Sequence, residues 1–92
     1  MISGEINRAV SETKGFDFAT TRSEDMPDWL TDEAASAKLL EEMPEPTLMK
    51  DLGQWMCDPD GTSNPDLCRF AKDRKTAIAL AWLRWKGVEV QP

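Results

Sequence analysis

The chain has no histidine and no tyrosine. A histidine base, a Ser-His-Asp triad and a Cys-His nucleophile pair are therefore excluded outright. Glycine is sparse, and Gly53 and Gly61 stand alone, so there is no glycine-rich loop to cradle a phosphate. Cys57 and Cys68 are too few for a disulfide framework, and without histidine they do not complete a metal-ligand set. No segment approaches the ~20 apolar residues of a membrane span. The opening MISGEINRAV has neither the basic start nor the apolar run of a secretory signal. These absences set the expectations: a non-enzyme with no cofactor and no metal, working in the cytoplasm and away from membranes. In that reducing setting Cys57 and Cys68 act as small apolar side chains, with a redox bridge across a hairpin loop as the alternative.

What is present is acid and tryptophan. The 92 residues carry 17 Asp/Glu against 11 Lys/Arg, a net charge of −6. The imbalance is uneven, with 14 acids against 5 bases in residues 1–61 and 3 against 6 in residues 62–92. An acidic face of this kind steers basic partners towards it, and it argues against a general nucleic-acid binder. Four Trp and three Phe supply a core, since each buried aromatic removes about 150–250 Å² from water. Residues 1–92 are long enough for one small domain and no more.

The pattern predicts an α+β fold with two N-terminal helices, a short antiparallel β-hairpin or sheet and a C-terminal hydrophobic helix. Ile2, Ile6, Ala9 and Val10 recur at helical spacing, and Gly15 lies just past the end of a helix over 3–14. Phe16-Asp17-Phe18 reads as a brief strand or as two aromatic plugs, and residues 20–27 as a loop. A second helix starts at Thr31 as N-cap, with Ala35, Leu39, Leu40 and Met43 as its buried stripe and Pro44 and Pro46 ending it. Trp29 and Leu30 are expected to pack back onto it. Thr47–Cys57 and Leu67–Ala71 carry strand signals, joined as a single hairpin through the turn residues Asp58-Pro59-Asp60-Gly61 and Asn64-Pro65-Asp66. The last helix is capped by Asp73, filled by Thr76–Lys86 and stopped by Gly87. Within it Ala77–Leu83 are apolar without a break, which covers nearly the whole circumference. Either this helix is sandwiched in the middle of the fold, or its Leu80 and Leu83 face meets a second molecule.

Candidate sites are surfaces. The acidic set is Glu24, Asp25, Asp28, Asp32, Glu33, Glu41, Glu42 and Glu45. Glu41 and Glu42 sit in a last helical turn, where the dipole prefers cations, each at a cost of about 0.3–1 kcal/mol if exposed. A partner that uses those charges would account for them; a solvated acidic surface is the alternative. The acids do not mimic a row of phosphates, because Asp32 and Glu41 lie half a revolution out of phase at ~100° per residue. Trp55 and Trp85, with Leu80 or Leu83, are candidates for short-range contact with a partner. Arg69, Lys72, Arg74 and Lys75 cluster at the entry to the last helix, either for local contact with nucleic-acid phosphates or for pairing with the chain's own acids. Asp58, Asp60, Asn64 and Asp66 gather oxygen ligands but lack the third acidic position and closing Glu of a calcium loop.

Several segments resemble one family. Glu5-Ile6-Asn7-Arg8-Ala9-Val10 is similar to the opening helix of small phage and prophage proteins known as the phage ABA sandwich domain. Trp29-Leu30-Thr31-Asp32, then Ala34-Ala35 and Leu39-Leu40-Glu41-Glu42-Met43, resemble that family's Y-S-T-D cap and following helix. Lys75-Thr76-Ala77-Ile78-Ala79-Leu80-Ala81, with Trp82-Leu83 and Lys86-Gly87, resembles its T-P-x-A-I-C-x-A-A-L closing helix. This chain departs in its short middle and in lacking a Cys in the last helix. The resemblance implies a small α+β domain encoded by a phage or mobile element, and it brings no catalytic residues. Short acidic phage accessory proteins of this kind include inhibitors of host defence such as anti-CRISPR proteins, an analogy of class. The expected partner is then a host protein or ribonucleoprotein with a basic surface, such as a CRISPR effector. The alternatives are a structural or regulatory phage protein that self-associates through the last helix, and a small nucleic-acid-contacting module using residues 69–75.

Overall fold

The computed structural model describes residues 2–16, 27–62, 64–88 and 90. Three helices and a three-stranded antiparallel sheet make an α+β fold, in the order α1 (Ile2–Thr13), α2 (Glu33–Glu42), β1 (Thr47–Asp51), β2 (Gln54–Asp58), β3 (Arg69–Ala71) and α3 (Arg74–Trp85). Residue 17 of the Phe16-Asp17-Phe18 segment, residue 18 and most of the expected 20–27 loop lie outside the described residues.

Capping chemistry sets the helix ends. Past α1 the Phe16 N–H donates to Ser11 O (3.0 Å) and Gly15 N–H to Glu12 O (3.0 Å). Past α3 the Val88 N–H donates to Leu83 O (2.8 Å) and Gly87 N–H to Arg84 O (3.0 Å). Both patterns satisfy carbonyls that a helix end leaves unpaired, and Gly87 supplies the required positive φ (86°). Asp73 caps α3, accepting from Thr76 N (3.1 Å) and Thr76 Oγ1 (2.6 Å). The helix therefore begins at Arg74, two residues ahead of the expected start. For α2 the expected cap is corrected by one position. Asp32 Oδ1 accepts from Ala34 N (2.9 Å) and Ala35 N (3.4 Å), while Thr31 belongs to a preceding turn in which its N–H donates to Asp28 O (3.2 Å).

The strand expectation needs a larger correction. Residues 47–57 are not one strand. They fold back through Leu52 and Gly53, so β1 pairs β2 with Asp51 opposite Gln54 and Met49 opposite Met56. β2 then pairs β3, with Met56 opposite Phe70 and Cys57 opposite Arg69. A two-residue hairpin turn of this hand needs positive φ at both central residues. Gly53 (φ 79°) adopts it freely and Leu52 (φ 50°) is held there. The expected long-loop hairpin exists as β2–β3, and Pro59, fully buried, follows the last ladder residue Asp58.

α3 runs through the middle, with α1 and α2 against it on one side and β2 and β3 on the other. All seven residues Ala77–Leu83 are buried, none more than 2 % exposed. The sandwiched arrangement thus holds, and the arrangement in which Leu80 and Leu83 meet a second molecule does not. Ile6 and Val10 from α1, Ala35, Leu39 and Met43 from α2 and its C-cap, Trp29 and Cys57 complete the core. Leu40, expected in the buried stripe, is only half-buried; Ser36 takes its place inside. Among the described residues no helix is long and apolar enough to cross a membrane.

Candidate functional site

Most of the charge picked out in the sequence is spent inside the molecule. Glu33 receives Arg74 Nη2 on Oε2 (2.8 Å) and Lys75 Nζ on Oε1 (2.6 Å), which ties the first turn of α2 to the first turn of α3. The Lys75 hydrogen bond and the two cationic charges hold its carboxyl below the usual range. Glu42 pairs with Lys14, whose ammonium also lies 5.3 Å from the Trp29 ring centre and 5.6 Å from that of Trp82. That contact offsets the unfavourable end of the α2 dipole. Asp28 accepts from Asn7 Nδ2 (3.0 Å) and Leu30 N (3.2 Å), and the Asn7 bond is the main reason its carboxyl titrates low. Asp32 is a helix cap. Glu24 and Asp25 lie outside the described residues.

Much of the basic set is engaged by the same kind of contact. Arg74 and Lys75 are held by Glu33, and Arg69 Nη1 donates to the carbonyls of Asp66 (3.1 Å) and Cys68 (2.8 Å). Lys72 is exposed and makes no ion pair with a described residue. Two acids are left over. Glu41 and Glu45 are exposed without an ion pair among the described residues. The Glu45 N–H donates to Pro59 O (3.3 Å), and its side chain lies against Gly61, where an added Cβ would meet Oε2 at 3.0 Å. Glu45, beyond the end of α2, thus lies beside the β2–β3 loop.

Among the tryptophans, Trp29 and Trp82 are buried. Trp55 and Trp85 are half-buried, with Lys50 5.9 Å and Lys86 4.6 Å from their ring centres. The exposed apolar surface lies elsewhere. Met49 (53 % exposed), Met56 and Phe70 (56 %) form one cross-strand row on the outer sheet face, and Leu52 (96 %) caps the hairpin tip. This row was not read from the sequence. Its signal is the two-residue turn, because once Leu52-Gly53 is placed, the pairing of Met49 with Met56 follows.

Elsewhere, a cleft of about 290 Å³ between the start of α2 and the segments that follow α1 and precede α2 is lined by Lys14, Phe16, Trp29, Ala34, Ala35 and Lys38, among others. Among the described residues no group of three or more Cys, Asp or Glu is placed to hold a metal ion. Cys57 and Cys68 are free thiols. Burial, reinforced by the Asp58 charge, pushes the Cys57 thiol up to about 12 and, more weakly, raises that of Cys68. At mildly alkaline pH, iodoacetamide is expected to modify Cys68 first and Cys57 only on unfolding. Peptide mapping after native and denatured labelling checks this; equal native rates would place Cys57 at the surface.

The chain matches no protein-family model, no curated protein and no solved structure. The residues that carry the phage-domain resemblance are mainly caps and core: Asp32, Ala35, Leu39 and Met43 around α2, and Ala77–Ala81 in α3.

Proposed function

We propose that the chain is a non-catalytic, phage-encoded binding protein that blocks a basic, nucleic-acid-binding surface of a host defence complex, in the manner of an anti-CRISPR protein. The observation that carries this reading is where uncompensated charge remains. Glu33 and Glu42 are held by the chain's own cations, whereas Glu41 and Glu45 are exposed without an ion pair among the described residues, Glu45 beside the β2–β3 loop. β1 starts two residues after Glu45, so the acidic rim leads into the exposed Met49, Met56 and Phe70 row. Carboxylates would draw a basic partner in, and the apolar row would supply contact once water is expelled. Trp55 and Trp85, covered by lysines, fit that role less well. The nucleic-acid-contacting alternative is not favoured, because Arg74 and Lys75 are already engaged by Glu33.

Phage plaquing on a host with active CRISPR immunity tests the proposal. Expression of the wild-type chain is expected to restore plaquing of a targeted phage. Glu41→Lys combined with Glu45→Lys should weaken binding at least about tenfold, equivalent to ~1.4 kcal/mol, and abolish the rescue. Glu5→Lys, on exposed α1 surface, should retain it. Glu42 is a poor choice for this test, since its reversal also breaks the Lys14 contact. No rescue in hosts with DNA-targeting or RNA-targeting effectors would overturn the reading, and rescue by the double variant would remove the acidic rim from it.

A further inference from the structure

β1 is an edge strand, and among the described residues only β2 pairs with it. Its free edge follows from the register. In a two-residue hairpin the residues flanking the turn, here Asp51 and Gln54, form a hydrogen-bonded pair, and such pairs alternate along the ladder. Met49 and Thr47 therefore bond to β2, while the N–H and C=O groups of Leu48 and Lys50 point away from the sheet. Edges of this kind are usually blunted by proline, a bulge or an outward charge. Here the pairing runs without a bulge from Thr47 to Asp51 and contains no proline, and the Lys50 ammonium lies over Trp55 of β2. Exposed apolar side chains sit on the edge instead, Met49 at 53 % and Leu52 at 96 %.

We infer that this edge pairs with β1 of a second copy of the chain, antiparallel about a two-fold axis at Met49. The outward groups lie symmetrically on either side of Met49, so Leu48 of each copy exchanges hydrogen bonds with Lys50 of the other. Met49 meets Met49 as a non-hydrogen-bonded pair, the closer of the two cross-strand arrangements. The rest of the register is compatible in charge: Asp51 faces Thr47 and Lys50 faces Leu48, with no like charges directly opposed. Leu52 comes beside Pro46 of the second copy. The two outer rows join into one, running from Phe70 through Met56 and Met49 to the same residues of the second copy. A five-residue strand pair buries little area, which makes the dimer weak and reversible. Each copy carries a net charge of −6, so added salt strengthens the dimer by screening their repulsion. The inference does not depend on the proposed function, whose acid-driven contact weakens with salt.

Sedimentation equilibrium of the full chain over a wide concentration range, at low and high salt, reads this directly. The wild-type chain is expected to move from monomer to dimer mass as concentration rises, and at lower concentration in high salt. Met49→Lys, which sets two ammonium groups against each other at the axis, should stay monomeric. Lys50→Pro should do the same, because it removes an outward N–H and leaves the β1–β2 ladder intact. Far-UV circular dichroism confirms that both variants fold. Phe70→Lys, on the opposite edge, should still dimerise. A wild-type chain that remains monomeric at every concentration overturns the inference, and a foreign strand on this edge is then the occupant to seek. A dimer that survives Met49→Lys and Lys50→Pro, or one that only Phe70→Lys abolishes, overturns it as well.

Discussion

Trp82→Ala is expected to cost about 3–5 kcal/mol, and Trp82→Phe no more than about 1 kcal/mol. Trp82 is 1 % exposed in the last turn of α3, the helix that packs against α1, α2, β2 and β3. The Lys14 and Lys86 ammoniums lie 5.6 and 5.7 Å from its ring centre. Truncation to alanine removes the largest apolar surface of the helix, opens a cavity and frees both lysines from the ring. A single domain is stable by only about 5–15 kcal/mol, so this one change takes a large share of the total. Phenylalanine keeps most of the ring contact. It also deletes Nε1, which is buried without a hydrogen-bond partner among the described residues. Burying such a group costs about 1–3 kcal/mol, and its removal offsets part of the lost volume. Urea unfolding of the three proteins compares the midpoints. Equal losses in the two variants would show that the N–H, and not the ring surface, carries the contribution of Trp82.

The features legible in the sequence were those whose chemistry is local. Asp73 before α3 and Gly15 and Gly87 after their helices are caps, and a cap needs only its own turn to be recognised. Even there, Thr31 and Asp32 are both good cap residues, and the choice between them rests on the turn that Asp28 makes with Thr31. The first hairpin was hidden for a similar reason. Its turn is Leu52-Gly53 where Asn-Gly or Asp-Gly would have announced it, so β1 and β2 read as one strand. Charge was legible as residue type but not as pairing. Arg74 and Glu33 are 41 residues apart, and only the packing of α2 on α3 brings them together. The acidic and basic sets therefore looked like two surfaces when they are partly the two halves of one contact. Periodicity also fails on Ala77–Leu83, because a helix that is apolar on every side has no stripe to point with.

That run carries the other large effect. Ala79→Lys is expected to abolish cooperative folding, whereas Phe70→Lys should leave a folded chain within about 1 kcal/mol of wild type. Ala79 is fully buried, as are Ala77 and Ala81, and α3 is covered by helices on one side and by the sheet on the other. A lysine there forces a long side chain into filled space, at about 1–3 kcal/mol for overpacking alone. It also takes an ammonium out of water, at a cost of several kcal/mol after relaxation. The two costs together rival the whole stability of a domain this size. Phe70 is 56 % exposed on the outer sheet face, where a lysine reaches water directly. Thermal melts followed by circular dichroism distinguish the outcomes. If Ala79→Lys melts like the wild type, one side of α3 opens to solvent. Its apolar run would then return as a surface for a second molecule, in place of the outer sheet face.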